Sequence, residues 1–440
     1  MKNILLKGGW GKGITLLRYR PSCLFPCEGR AYNRGATNVI KGQTVKKRIV
    51  FLMSDTGGGH RAAAEAIRDA LIQRYGVDQI EATLVDVFRA SGFPFNYMPE
   101  IYPWLVNRSK SSYAMSYRLS DSRRSVALLW RTFYITNARR FRKMVHAHPA
   151  DVVVCVHSII AKPSKRAYDM LDSRPPFITV VTDLVSTHMF WYDKTVERCL
   201  VPTQAAYDRG LKAGLLPMQM HITGLPIHPD FVQSLGDKAA ARAELGWNQE
   251  TPVVLMVAGG DGMGRLYETA RAIDAKKLPC QLAIIAGRNQ LLKQKLESVN
   301  WHQPVHFYGF VKNMPRLMTG ADIIVTKAGP ATITEAAMAG LPMVIYDAIP
   351  GQEDGNVTYV VDNQAGAFAP DPEQAAETVA AWLHEGADAL EQRSQNARRI
   401  VNPNAVWDIA DEVWTWAHHA PMPGRVTRRF WRFRRRNQRS

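Results

Sequence analysis

From Arg48 onward, short runs rich in β-branched and aromatic residues alternate with longer stretches whose apolar side chains recur every three to four positions. Ile49 to Met53, Ile80 to Val87, Asp151 to Val156, Phe177 to Thr182 and Cys199 to Val201 predict buried strands. Helices such as Arg61 to Tyr75 and Thr203 to Ala213 are expected between them. A second series repeats the alternation at Val253 to Val257, Gln281 to Ile285, Val305 to Tyr308, Ile323 to Thr326 and Met343 to Ile345. Strands separated by helices read as parallel sheets covered on both faces, so the class expected is α/β with two doubly wound, Rossmann-like halves. Gly224-Leu-Pro-Ile-His-Pro229 stands between them as a stiff linker, because proline cannot continue a sheet ladder. The organisation expected is an N-terminal extension over 1–47, a first domain over 48–226, a second over 227–400, a helix over 401–420 and a tail over 421–440.

Phe88 to Val145 is too long for an ordinary βα connection and reads as an insertion. Phe93, Phe95 and Trp104 lie in its aromatic first part, and Val126, Trp130, Phe133, Tyr134, Phe141 and Val145 recur at helical spacing beside many arginines. Such a stripe is expected to rest on anionic lipid and admit an acyl chain; the competing reading packs it on the sheet and leaves the arginines to solvent.

Charge adds to this picture. Lys and Arg number 56 against 39 Asp and Glu, a net charge of +17 that favours an anionic partner. The tail Arg425 to Arg439 carries eight arginines among Phe430, Trp431 and Phe433, which suits an anionic membrane, or RNA on the blander reading. The first 48 residues hold eleven Lys or Arg and one acid, Glu28, without the apolar core of a secretory signal, and read as a flexible extension or a transit segment. No apolar run approaches the roughly 20 residues that cross a bilayer. The five cysteines form no CxxC pair, so a reducing compartment and a peripheral position on the cytoplasmic face of a membrane are expected.

Ligands of open α/β sheets bind where strands end, so chemistry is sought in those loops. After the first strand comes Ser54-Asp-Thr-Gly-Gly-Gly-His60, where Gly57, Gly58 and Gly59 let backbone amides approach a ligand at a helix N-terminus. Its spacing fits neither a P-loop nor a dinucleotide fingerprint. His60 can take a proton from an acceptor hydroxyl directly, or Asp55 can serve as base with His60 positioning the lipid. Gly259, Gly260 and Gly262 form a second loop, with Arg265 just beyond it. Lys327-Ala-Gly329-Pro330-Ala331-Thr332 then turns into a helix that can cradle a diphosphate, and Glu335 can accept hydrogen bonds from ribose hydroxyls. Gln352, Glu353 and Asn356 follow the next strand and suit the hydroxyls of a hexose. Asp183, His188 and Trp191 are candidates for the acceptor entrance.

Ser54 to Arg61, Thr326 to Glu335 and Pro350 to Asn363, with Val181-Thr-Asp-Leu184, Val201-Pro-Thr203, Thr223-Gly-Leu-Pro226 and Ala286-Gly-Arg-Asn289 in matching order, resemble the motifs of monogalactosyldiacylglycerol synthases and processive diacylglycerol glucosyltransferases. A more distant likeness is to the peptidoglycan GlcNAc transferase. The resemblance spans about Arg48 to Phe368 and implies a GT-B fold and inverting transfer from a UDP-hexose to diacylglycerol. It implies that Glu335 binds the ribose, Gly329 to Thr332 the diphosphate and Gln352 with Glu353 the sugar, while His60 and Asp55 face the acceptor. No Asp-x-Asp pair occurs in the chain, so no metal and no other cofactor is expected, and Arg265 or Lys327 would meet the leaving charge. The alternatives are GlcNAc transfer to a polyprenyl-linked acceptor and a non-catalytic basic protein that binds RNA or nucleotide; nucleic acid is not the expected partner.

Overall fold

The computed structural model describes residues 45–56, 58–101, 110–259 and 264–424. The first sheet contains β1 (Lys47–Met53), β2 (Ile80–Asp86), β3 (Val152–Cys155), β5 (Phe177–Val180), β6 (Arg198–Val201) and β7 (Met220–Ile222), in the order β2-β1-β3-β5-β6-β7. Every neighbouring pair in it is parallel. The short β4 (Ser173–Arg174) pairs instead with β14 (Met422–Pro423) in an antiparallel ribbon.

Because side chains alternate along a strand, each sheet feeds two cores. Ile49, Phe51 and Met53 of β1 join Val152, Val154, Ile178 and Leu200 on one face. Val50 and Leu52 join Val153, Cys155 and Phe177 on the other. The second sheet is built the same way from β8 (Val253–Val257), β9 (Gln281–Ile285), β10 (Val305–Tyr308), β11 (Ile323–Lys327), β12 (Met343–Asp347) and β13 (Gly366–Phe368). Its order is β10-β9-β8-β11-β12-β13, again all parallel.

This order fixes where a ligand can lie. The chain leaves the centre of each sheet in two directions, between β1 and β3 in the first and between β8 and β11 in the second, opening a crevice beyond the strand ends at each point. The Gly-rich loop after β1 and the turn after β11 both fall at such a crevice.

The helix Arg123–Ala147 corrects the reading of the basic insertion. Val126, Trp130, Phe133, Phe141 and Val145 are all buried, most of them in the core beneath the first sheet, so the stripe expected to meet lipid packs on protein. Leu128, Leu129 and Ile135 remain on the exposed side of the same helix. The helix Ala405–Ala417 runs back to the first sheet, placing Val406, Ile409, Ala410 and Val413 against Ile49, Phe51 and Ile67. The outward and return passages touch. Asn402 donates to the carbonyl of Thr223 at 2.8 Å, and Gly224 adopts a positive φ of 95° where an added Cβ would lie 2.8 Å from that of Ala405.

Candidate functional site

A cavity of about 730 Å³ lies beyond the carboxyl ends of β1 and β3. Thr56, His60, His157, Asp183, His188 and Phe190 are among its lining residues. His60 opens the helix that follows the Gly-rich turn, and its Nδ1 stands 2.9 Å from the carbonyl of Val156 and 3.0 Å from the Thr182 hydroxyl. A carbonyl only accepts, so Nδ1 carries the proton and Nε2 keeps its lone pair. Burial lowers the pKa of His60 to about 4, which leaves the ring neutral near pH 7. His157 packs beside it with ring centroids 4.3 Å apart and the rings tilted by 43°. Its Nδ1 accepts from the amide of Ile159, leaving Nε2 to donate to Thr56 at 2.9 Å.

Asp183 accepts from the Trp191 indole at 2.6 Å, and burial pushes its carboxyl up to about 6. His188 also lines the cavity, stacked on Phe190, with its pKa lowered to about 4, chiefly by burial. Asp55 is placed differently. Arg61 grips both of its carboxylate oxygens, at 2.6 and 2.9 Å, and holds the group below the usual carboxylate range. It does not line the cavity.

Other residues expected at the acceptor entrance or on the lipid-facing insertion are placed as follows. Trp191 is fully buried behind the cavity, where it supports Asp183 and His60. Trp130 is buried as well, donating to the carbonyl of Ile159, with the Lys162 ammonium 4.4 Å over its ring. Phe95 packs on Phe133 at 4.4 Å, while Phe93 is 83% exposed. Gly58 and Gly59 are exposed at the start of the His60 helix. Gly57, Trp104, Gly260 and Gly262 lie outside the described residues, as do the chain before 45 and the arginine-rich tail from 425.

The second half presents the end of β11 and the helix Pro330–Ala339. Gly329 is the N-cap and no side chain caps the helix, so the amides of Ala331 and Thr332 face outward from its first turn. Lys327 ends β11, opposite Asp347 in the register of β12. Gly259 and Gly264 both take positive φ, and a Cβ on either would come within 4 Å of the Lys327 side chain, so these two glycines lie against the lysine. Arg265 points away, 3.9 Å from Asp371 and more than half exposed. Glu335 is half-buried with no hydrogen bond or ion pair among the described residues, and burial pushes its carboxyl up to about 7. Glu353 is buried, accepts from the amide of Ile349 at 2.8 Å and is likewise raised to about 7.

Gln352 is the one residue of the second half in the cavity lining, among the described residues. Asn356, expected at the sugar, instead ties the halves together. Its Nδ2 donates to Ala328 and its Oδ1 accepts from the amide of Val185. Sequence reasoning missed His157, Thr56 and the hydroxyl-bearing face of the helix Lys110–Ser120. Ser112, Tyr113, Ser116, Tyr117 and Ser120 all line the cavity, and their three-to-four-residue spacing was a legible signal. Among the described residues no group of three or more His, Cys, Asp or Glu is placed to hold a metal ion, and no helix is long and apolar enough to cross a membrane.

Together these features offer a neutral imidazole in the cavity and, in the second half, a bare helix N-terminus beside a lysine, groups suited to proton removal and to meeting a departing anion. Residues 60–227 match the family model of monogalactosyldiacylglycerol (MGDG) synthase, and residues 237–400 match that of the glycosyl transferases group 1. A probable monogalactosyldiacylglycerol synthase of Glycine max is 39% identical over 389 residues, covering 86% of this chain and 72% of that protein. The monogalactosyldiacylglycerol synthase of Spinacia oleracea is 38% identical over 381 residues, covering 83% and 72%. Both carry the description chloroplastic. Among solved structures, MurG of Acinetobacter baumannii superposes with a TM-score of 0.54 at 14% identity, covering 84% of this chain and 99% of that one. The glycotransferase of kitacinnamycin gives 0.55 at 15%, with the same coverage. With the same two-sheet architecture and this degree of identity over most of its length, the chain belongs to the monogalactosyldiacylglycerol synthase family and is a glycosyltransferase of the GT-B fold.

Proposed function

We propose that the protein moves galactose from UDP-galactose to the free hydroxyl of 1,2-diacylglycerol, giving β-monogalactosyldiacylglycerol and UDP, with glucose as the competing sugar. The hydroxyl oxygen forms its bond to the anomeric carbon as the bond from that carbon to the diphosphate breaks. One displacement inverts the centre. The hydroxyl proton passes to Nε2 of His60, and the bonding electrons leave on UDP. His60 suits this role because its Nδ1–H is fixed on Val156 and burial keeps its ring neutral. Asp55, already neutralised by Arg61, is the weaker candidate. Asp183, in the same cavity, offers negative charge to the imidazolium that forms.

On the donor side, Lys327 and the amides of Ala331 and Thr332 meet the diphosphate, Glu335 accepts from the ribose, and Gln352 with Glu353 faces the sugar. This arrangement needs no metal at the leaving group. The protein works from an anionic membrane surface, with exposed Leu128 and Ile135 beside Arg131 and Arg139 as the docking face.

The observation that carries the reading is the shared cavity: His60 and Gln352, from opposite halves, line one space. The test is a pair of variants. His60→Ala should lower kcat by at least about a hundredfold while UDP binds as before, and Glu335→Ala should weaken UDP-sugar binding. Wild-type kinetics in both variants would overturn the assignment.

A further inference from the structure

Thr56 stands in the Gly-rich turn between β1 and the helix that His60 opens, and both residues line the cavity. Its backbone is held by its own turn, where the Thr56 amide donates to the Ser54 hydroxyl at 3.3 Å. Its hydroxyl oxygen lies 2.9 Å from Nε2 of His157, the buried N-cap of the helix Ser158–Tyr168. Nδ1 of that ring accepts from the amide of Ile159, and burial together with the neighbouring His60 keeps the ring neutral, so Nε2 carries the hydrogen. Thr56 therefore accepts from His157 and keeps its own O–H to give. Among the described residues no other group bonds to that hydroxyl, which is buried yet borders the cavity.

His60 presents the opposite chemistry. Its Nδ1–H is committed to Val156 and Thr182, which leaves a lone pair on Nε2. The two imidazoles pack 4.3 Å apart, so one donor and one acceptor are anchored to a single pair of rings. Phe88, edge-on to His157 at 5.4 Å, joins Met98, Ile159 and Phe190 in giving the cavity apolar walls. A carbonyl or ether oxygen would bring His60 no hydrogen to accept, and an ammonium would bring Thr56 no lone pair. A hydroxyl on an apolar body satisfies both.

We infer that Thr56 positions the acceptor alcohol: its O–H fills one lone pair of the attacking oxygen while His60 takes that oxygen's proton, which leaves the second lone pair for the anomeric carbon. His157 is a positioning residue, turning the Thr56 hydrogen toward the cavity by donating to its oxygen. The inference rests on the proposed transfer to diacylglycerol. A donor in this place also steadies the negative charge that grows on the oxygen as its proton leaves.

The experiment uses the full chain, with diacylglycerol varied in phosphatidylglycerol vesicles and UDP-galactose saturating. Thr56→Val keeps the shape and removes the hydroxyl. It should lower kcat/KM for the lipid about tenfold, the scale of one lost positioning hydrogen bond, with KM for UDP-galactose as in the wild type. The pH dependence of kcat should also stay in place, because Thr56 does not titrate and His60 keeps its bond to Val156. Thr56→Ser retains the hydroxyl and should retain most of the wild-type efficiency. Thr56→Ala, which leaves room for a water beside His157, is read in the same way and keeps the test open if the valine variant does not fold. Wild-type efficiency without the hydroxyl, an equal loss in Thr56→Ser, a raised KM for UDP-galactose or a shifted pH dependence would each overturn the inference. A wild-type chain that makes no glycolipid would instead undo the reaction on which it rests.

Discussion

Asp183 accepts a 2.6 Å hydrogen bond that favours its charged form, yet burial outweighs it and lifts the carboxyl to about 6. In the unfolded chain the same group titrates near 4. Between these values the folded chain keeps a proton that the unfolded chain releases, so stability falls as pH rises across that window, and the cost is complete above about 6. Asp183→Asn removes the charge and keeps an oxygen for Trp191. It should therefore melt several degrees above the wild type at pH 8 and level with it at pH 4, a difference scanning calorimetry resolves. Equal melting at both pH values would show that the carboxyl is better solvated than its surroundings indicate. The Gly-rich turn was legible because three glycines before a helix have few other uses, but the choice between Asp55 and His60 was not. It depends on Val156, almost a hundred residues away, and on how Arg61 turns its fork.

The helix Arg123–Ala147 shows what periodicity tells and what it leaves open. Its 3.6-residue pattern predicted an amphipathic helix, which is present, but the same pattern serves a sheet or a membrane equally well. The core beneath the sheet takes Phe133, Phe141 and Val145, so any lipid contact falls to the opposite side, where Leu128 is 66% and Ile135 59% exposed. Replacing both with Asp should leave melting unchanged and weaken co-sedimentation with phosphatidylglycerol vesicles at least tenfold, since burying each side chain contributes about 1.5 kcal/mol or more. Undiminished vesicle binding would move the docking face elsewhere. Short elements escaped the pattern altogether: β7 has three residues, too few to display a period of two.

At the scale of the whole molecule, the two series of apolar runs were sufficient to foresee two parallel sheets, because strands buried on both faces have no polar side to disguise them. The joining of the halves was not foreseeable. Asn356 and Asn402 each look like ordinary loop residues, yet one spans to Val185 and the other to Thr223. The helix Ala405–Ala417, whose apolar face could have covered either sheet, crosses back to the first. These ties hold the crevice of one sheet against that of the other, and the proposed reaction requires that arrangement for a lipid hydroxyl and a nucleotide sugar to meet at His60.

The most direct test of that meeting is the product. Purified protein, diacylglycerol in phosphatidylglycerol vesicles, and UDP-galactose or UDP-glucose in parallel, all with EDTA present, should yield a β-linked monohexosyl lipid, with galactose the better donor. An α-linked product would contradict the single displacement, loss of product in EDTA would contradict the metal-free leaving group, and no glycolipid from either donor would contradict the proposed reaction as a whole.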